Sequence, residues 1–153
     1  MNDSEQPLVW ITGAGGLIGN YLVQIAPSFA PSWRVAPWTR QQLDLTDFAR
    51  VRTAFESEPP SLIVHCAAMS RSPDCQREPA RARLLNVEIT ARLAELAGEI
   101  SFVFFSSDLV FDGRQGNYRE EDAVNPLSVY AETKVEAECV VLRIRATPSS
   151  ARR

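Results

Sequence analysis

Tyr130 and Lys134 stand four residues apart in the run Tyr130-Ala131-Glu132-Thr133-Lys134, with Ser106-Ser107-Asp108 upstream. At that spacing a phenol and an ammonium share one face of a helix. The chemistry such a set can do is proton transfer at a carbonyl or alcohol oxygen. A ketone that receives hydride needs a proton on its oxygen, and a phenol with a pKa of about 10 is poorly matched to neutral pH. A neighbouring ammonium stabilises phenolate and lowers that pKa. Lys134 is therefore expected to tune Tyr130 and also to hold a nicotinamide ribose. The Ser107 hydroxyl is expected to hydrogen-bond the substrate oxygen and fix its position. Alone, Tyr-x-x-x-Lys also occurs on ordinary solvated helix faces, so its weight depends on what precedes it.

What precedes it is Val9-Trp10-Ile11-Thr12-Gly13-Ala14-Gly15-Gly16-Leu17-Ile18-Gly19. Gly13, Gly16 and Gly19 have the spacing G-x-x-G-x-x-G, with Gly15 extra, between a strand and a helix. Gly13 permits a tight turn, Gly15 or Gly16 lets backbone approach a pyrophosphate, and Gly19 allows close helix–sheet packing. The helix that opens at Leu17 and Ile18 then offers free N–H groups and a positive dipole end to phosphates. The second strand runs into Thr39-Arg40, with no acid before Asp44. An acid there would bind the adenosine ribose, whereas a basic residue accommodates a 2′-phosphate. Arg40 thus favours NADP(H), with NAD(H) as the alternative if Arg40 is only a solvated side chain.

The elements that must position these residues are legible in outline. Leu8 to Thr12 reads as a buried parallel strand. Leu17 to about Ile25 has helical spacing, ended by Pro27. Trp33 to Trp38 is a second strand, and Asp47 to Ser57 a helix capped by Thr46 and stopped by Pro59-Pro60. Ser61 to Cys66 is a third strand. Pro79 to Gly98 is the strongest helical pattern, with Gly98 as its C-cap. Ser101 to Phe105 is a fourth strand, Leu109 to Asn125 a loop, and Leu127 to about Leu142 a helix. Val140 to Arg145 either finishes that helix or feeds a late strand. Strands alternating with helices predict an α/β fold with a doubly wound parallel sheet, one NAD(P)-binding Rossmann-like domain over residues 1–153. Residues 7–142 are its expected core and 145–153 a polar tail expected to fray.

Composition narrows the function classes. The 153 residues are 45% hydrophobic and 23% charged, ordinary for a soluble globular protein. A net charge of −3 offers no electrostatic case for nucleic acid or an anionic membrane surface. No apolar run approaches the roughly 18 residues of a membrane span. The polar start Met1-Asn2-Asp3-Ser4-Glu5-Gln6 does not read as a signal peptide. Cys66, Cys75 and Cys139 lack metal-ligand spacing. No metal is expected, and reduced thiols in a cytoplasmic protein are the expected state.

The whole pattern resembles the extended short-chain dehydrogenase/reductases. The stretches Phe104-Phe105-Ser106-Ser107-Asp108-Leu109-Val110-Phe111-Asp112-Gly113, Tyr118-Arg119-Glu120-Glu121-Asp122, Pro126-Leu127 and Tyr130 to Lys134 look most like dTDP-4-dehydrorhamnose reductase. They are also similar to the regulatory beta subunit of methionine adenosyltransferase. The resemblance covers about residues 7 to 142. It implies Ser107, Tyr130 and Lys134 as the catalytic set, reducing the C4 carbonyl of a dTDP-4-keto-6-deoxy sugar. It also implies Asp44 and Leu45 beside the adenine, and Cys66, Ala67 and Ala68 along the cofactor. Asn86 would support a water or backbone at the site and is counted with the cofactor residues. His65 stands where many relatives carry Asn and reads as a strand-end residue, not a base or ligand.

The sequence departs from the resemblance in two ways. Ser107 stands where the reductases usually have Thr. These enzymes also continue well past this length into a domain that grips the nucleotide sugar, so the substrate half is expected to be missing and the chain to be inactive as it stands. The implied partners are a nucleotide-sugar substrate and either a second copy or a complementing chain. Three rival readings stay open: a sugar-nucleotide epimerase or dehydratase, a non-catalytic regulatory subunit, and a fragment of a longer product. Of the remaining polar groups, Asp74 and Glu78 read as solvated or capping, Asp108 as structural, and Arg119 to Asp122 as a solvated loop. Trp10 and Trp38 read as packing groups.

Overall fold

The computed structural model describes residues 6–146. Four parallel strands form one sheet in the order β2-β1-β3-β4: β1 Leu8–Thr12, β2 Arg34–Trp38, β3 Leu62–His65 and β4 Ser101–Phe104. The central strand is β1. Its run Leu-Val-Trp-Ile-Thr is buried at every position, as a strand covered on both faces must be. The helices are α1 Leu17–Phe29, α2 Phe48–Ser57, α3 Ser72–Arg77, α4 Pro79–Arg83, α5 Ile89–Ala97 and α6 Val129–Ala146. The chain is α/β, with the strand order reversing direction after β2, which is the doubly wound pattern.

The chain divides into two compact units. The first holds residues up to Ala67 and Ala94–Phe104, and the second holds Ala68–Leu93 and everything from Phe105 on. In the first unit, Trp10, Trp38, Ile63, His65, Phe102 and Phe104 share one face of the sheet. Trp10 is fully buried and meets Trp38 and Phe55 of α2 edge-on, at centroid distances of 5.3 and 5.8 Å. Both are packing groups, and both indole N–H groups are buried without an acceptor. The step β1 to β2 runs opposite to the step β2 to β3, so right-handed crossovers put α1 and α2 on opposite faces.

Several local expectations are corrected. The first helix does not stop at Pro27 but runs through it to Phe29. Proline removes one donor there, and in the last turn the lost bond matters little. The cap of α2 is Asp47, whose carboxylate accepts the Arg50 N–H at 3.1 Å, and not Thr46, which donates to Asp44 instead. The long helix predicted over Pro79 to Gly98 is interrupted by a π turn, Leu84–Glu88, between α4 and α5. Gly98 ends it in the left-handed region, at φ +57. Helix α3 lies in a stretch with no predicted element; Pro73 in its first turn starts it. Val140 to Arg145 finish α6, which extends to Ala146. The rest of the expected tail, from Thr147 on, and the polar start up to Glu5 lie outside the described residues.

Candidate active site

The glycine loop sits in the first unit. Gly13 is left-handed, at φ +67, and a Cβ on it would lie 2.6 Å from the Ala67 nitrogen. A Cβ on Gly19 would lie 2.4 Å from the Gly13 carbonyl oxygen. These two glycines are therefore required by the loop's own packing, and Gly19 serves helix–loop rather than helix–sheet contact. Gly16 is the N-cap of α1 and its N–H donates to the Gly13 carbonyl at 2.9 Å. Gly15 is different. It is exposed, and a Cβ there meets nothing closer than Thr39 Cγ2 at 3.8 Å. It is the position where backbone lies open to an incoming group.

Helix α1 begins immediately after. Its first intrahelical bond is from Asn20 N–H to Gly16, so the amides before it have no carbonyl within the helix. No acidic side chain occupies the first turn, and Leu17 and Ile18 are exposed. The end of β2 is held against this loop by the Ala14 N–H donating to the Trp38 carbonyl at 3.1 Å. Thr39 follows, tied by its N–H and hydroxyl to Gln42. Arg40 is largely exposed and pairs with Asp44 at 3.7 Å. Asp44 accepts the Thr46 N–H and hydroxyl, and these bonds, with Arg40 behind them, hold its carboxyl below the usual range. Leu45 beside it is half-buried. Arg40 thus has an acidic partner already, which weakens it as a dedicated phosphate ligand.

At the end of β3, Cys66 N–H donates to the Thr12 carbonyl at 3.2 Å and Ala67 forms the wall behind Gly13. Ala68 is exposed. His65 is buried, with Nδ1 at 2.7 Å from the Thr12 hydroxyl and its ring against Phe102 and Phe104. It is a packed strand-end residue.

Ser107, Tyr130 and Lys134 all lie in the second unit. Ser107 caps a short 3-10 turn, Asp108–Val110, through the Leu109 N–H at 3.2 Å. Its hydroxyl is also hydrogen-bonded to the Tyr130 phenol. The Tyr130 phenol lies above its ordinary pKa, where a lowered one was expected. Burial pushes the phenol up, the Ser107 hydroxyl pulls it down, and Cys75 and Asp108 push it up further. Lys134 is buried and its ammonium donates to the Phe105 carbonyl. Asp108 accepts from Ser107 at 3.3 Å, a supporting role.

Asn86 lies in the π turn, almost fully buried. Its Oδ1 accepts the Met69 N–H at 2.7 Å, and its Nδ2 donates to the Met69 carbonyl at 3.1 Å and to Thr133 Oγ1 at 2.9 Å. Both amide hydrogens are engaged by protein groups, so Asn86 acts on backbone and not as a direct cofactor ligand. Thr133 in turn donates to the Tyr130 carbonyl at 2.7 Å. Sequence reasoning passed over Thr133 because a threonine inside Tyr-x-x-x-Lys looks like filler; its one signal was a hydroxyl three residues after Tyr130, in reach of that carbonyl.

A cavity of about 670 Å³ in the same unit is lined by Asp108, Leu109, Phe111, Asp112, Tyr118 and Leu127, among others. Its wall is knotted: Phe111 and Tyr118 stack at 4.4 Å, and Asp112 accepts the Tyr118 hydroxyl, the Arg114 N–H and the Asn125 amide. These donors lower the Asp112 pKa to about 2. Asp74 is paired with Arg71 and Arg77, and Glu78 with Arg81. Among the described residues no helix is long and apolar enough to cross a membrane.

The chain is similar to several known proteins. The methionine adenosyltransferase 2 subunit beta of Xenopus tropicalis is 39% identical over 141 residues, covering 86% of this chain and 42% of the relative. The dTDP-4-dehydrorhamnose reductase of Streptomyces griseus is 33% identical over 147 residues, covering 94% of this chain and 48% of the relative. Among solved structures, the dTDP-4-dehydrorhamnose reductase of Bacillus anthracis, in complex with NADP, superimposes with a TM-score of 0.82 at 26% identity, over 91% of this chain and 50% of that one. The chain thus spans less than half the length of these two relatives. The model of the family described as "RmlD substrate binding domain" matches residues 8–150, and the chain belongs to that family.

Proposed function

We propose that this chain is the NADP(H)-binding part of a nucleotide-sugar reductase of the dTDP-4-dehydrorhamnose reductase kind. The observation that carries the reading is the open glycine, Gly15, at the head of a helix with unpaired amides and no acid in its first turn. That arrangement suits a pyrophosphate. Gly15, Gly16, Leu17 and Ile18 would hold the phosphates through backbone N–H groups. Thr39, Arg40, Asp44 and Leu45 would flank the adenosine end, and Cys66, Ala67 and Ala68 the remainder. The bound nicotinamide would supply hydride. Tyr130 would deliver the proton to the ketone oxygen, Ser107 would orient that oxygen, and Lys134 would hold the ribose. Gly13 and Gly19 shape the loop, and Asn86 with Thr133 holds the turn that carries Tyr130.

Titration calorimetry with NADPH and NADH tests the cofactor. Binding of NADPH ahead of NADH is the expected result, and Arg40→Ala should narrow the gap. No binding of either nucleotide would sink the proposal. Where turnover is found, Tyr130→Phe should remove most of it and leave NADPH affinity unchanged.

A second reading is a cofactor-binding regulatory subunit without catalysis. It is favoured by the 39% identity to the Xenopus tropicalis beta subunit and by the raised pKa of Tyr130. A stable complex with an adenosyltransferase catalytic chain, together with no reduction of a dTDP-4-keto sugar, would decide for it.

A further inference from the structure

We propose that His65 is a positioning residue for the glycine loop. Through the Thr12 hydroxyl, its imidazole sets where the turn at Gly13 stands, and with it the amides that follow. The inference rests on the reading of that loop as the cofactor's phosphate site.

Thr12 ends β1 and His65 ends β3, and the two stand opposite each other in register. Both are buried. The Thr12 hydroxyl and His65 Nδ1 are 2.7 Å apart. A hydroxyl can give or accept this bond, so the bond holds in either tautomer of the ring. The backbone repeats the tie, since the Cys66 N–H donates to the Thr12 carbonyl at 3.2 Å. Toward β4 the ring lies against Phe102 and Phe104, with centroids at 5.9 and 6.4 Å. Gly13 follows Thr12 directly. A Cβ on Gly13 would fall 2.6 Å from the Ala67 nitrogen and 2.8 Å from the Cys66 carbonyl carbon. The turn of the loop is thus packed on the two residues that follow His65. A small slip between the ends of β1 and β3 would close that contact or open it.

Packing alone does not call for a polar pair at this place. One row along the same face, Trp10, Ile63 and Phe102 are in register, and all three are apolar. A buried hydroxyl and a buried imidazole each cost desolvation that their mutual bond offsets, whereas two apolar groups of the same shape would serve the core as well. What the pair adds is direction, because a hydrogen bond fixes distance and angle and apolar contact does not. The residue it directs is the one before the left-handed glycine. The Gly16 N–H donates to the Gly13 carbonyl at 2.9 Å, so the start of α1 is set from that turn. The action of His65 on a bound phosphate is therefore indirect, through Thr12 and Gly13.

The test is NADPH titration on a set of variants that circular dichroism shows to be folded. Thr12→Val keeps the shape and removes the hydroxyl, and His65→Phe keeps a ring and removes Nδ1. Each should weaken NADPH binding about tenfold, and the double variant no further, since either change breaks the same bond. Thr12→Ser keeps the hydroxyl and should bind like the parent. His65→Asn carries a polar atom as many bonds from the backbone as Nδ1 and should recover most of the affinity lost in His65→Phe. His65→Gln carries it one bond farther, where Nε2 stands, and should not. Asparagine no better than glutamine, or losses that add in the double variant, would overturn the proposal. Amide hydrogen exchange without nucleotide gives an independent reading. In His65→Phe the Gly16 N–H should exchange faster, while the Val51 N–H, bonded to the Asp47 carbonyl at 3.1 Å in α2, should not. An equal rise at both marks a general loss of stability and overturns the positioning role, as does no rise at Gly16. If the parent binds no nucleotide, the cofactor reading falls, and a selective rise at Gly16 still supports the tie between His65 and the loop.

Discussion

The Asn86 side-chain amide donates to the Thr133 hydroxyl at 2.9 Å, joining the π turn Leu84–Glu88 to the turn of α6 that carries Tyr130. A regular α-helix through residues 79–97 would present a different side chain at that point. The π turn, with its wider i→i+5 spacing, is a feature often found at functional sites. Thr133 passes the constraint on to the Tyr130 carbonyl, and Asn86 passes it back to both polar groups of Met69.

Asn86→Ala should therefore destabilise the fold by about 1–3 kcal/mol, the cost of leaving buried partners unsatisfied. Urea denaturation of the purified chain measures it. Asn86→Asp keeps the acceptor for Met69 N–H but loses both donated bonds, and should be no better than alanine. A variant within a few tenths of the parent would show that the Met69–Asn86–Thr133 chain does not hold the site together.

The glycines of the loop should separate by role. The Cβ of Gly15→Val meets only the Thr39 methyl, at 3.8 Å; the variant should fold normally, yet lose NADPH affinity by more than tenfold. Gly19→Ala places a Cβ against the Gly13 carbonyl at 2.4 Å and should lower the melting temperature itself. Thermal melts and nucleotide titration on the two variants give the comparison. Gly16→Val is a poorer probe, because its Cβ already approaches that carbonyl at 3.3 Å.

Tyr130 should ionise later than an ordinary tyrosine, because burial disfavours the phenolate. The folded chain then holds a proton that the unfolded chain releases near pH 10, so this group's contribution to stability is lost as pH rises past the unfolded value. Ultraviolet difference titration should show Tyr130 as a late phenol, assigned by its loss in Tyr130→Phe. Ser107→Ala removes the bond that opposes the shift and should move that midpoint higher still. A midpoint unchanged or lowered in Ser107→Ala would show that Ser107 does not engage the phenol.

Asp112 runs the other way. Its carboxyl is held at about 2 by the Tyr118 hydroxyl first, then the Arg114 N–H and the Asn125 amide. Its contribution is present above the ordinary carboxyl value of 3.8 and is lost as pH falls toward 2. Carboxyl titration followed by NMR should give that low midpoint in the parent and a higher one in Tyr118→Phe. An ordinary value in the parent would mean the Phe111–Tyr118 loop is not tied at Asp112.

Much of the molecule is written in local patterns. The four strands, the Gly13–Gly19 spacing and the Tyr130–Lys134 spacing follow from periodicities of two and 3.6 and from the steric needs of glycine, which act over a few residues and so can be read in order along the chain. Other features depend on contacts between segments far apart in sequence. That Gly15 is the open glycine depends on Thr39 and on where Ala67 falls behind Gly13. Asn86, in the π turn, meets Met69 and Thr133, which lie far from it in sequence. The cap of α2 is Asp47 because Thr46 is taken by Asp44. The pKa of Tyr130 rises because burial outweighs its hydrogen bond to Ser107, while the Lys134 ammonium faces the Phe105 carbonyl. Residue types and spacing named the participants; desolvation and hydrogen-bond competition in the folded chain assigned what each one does.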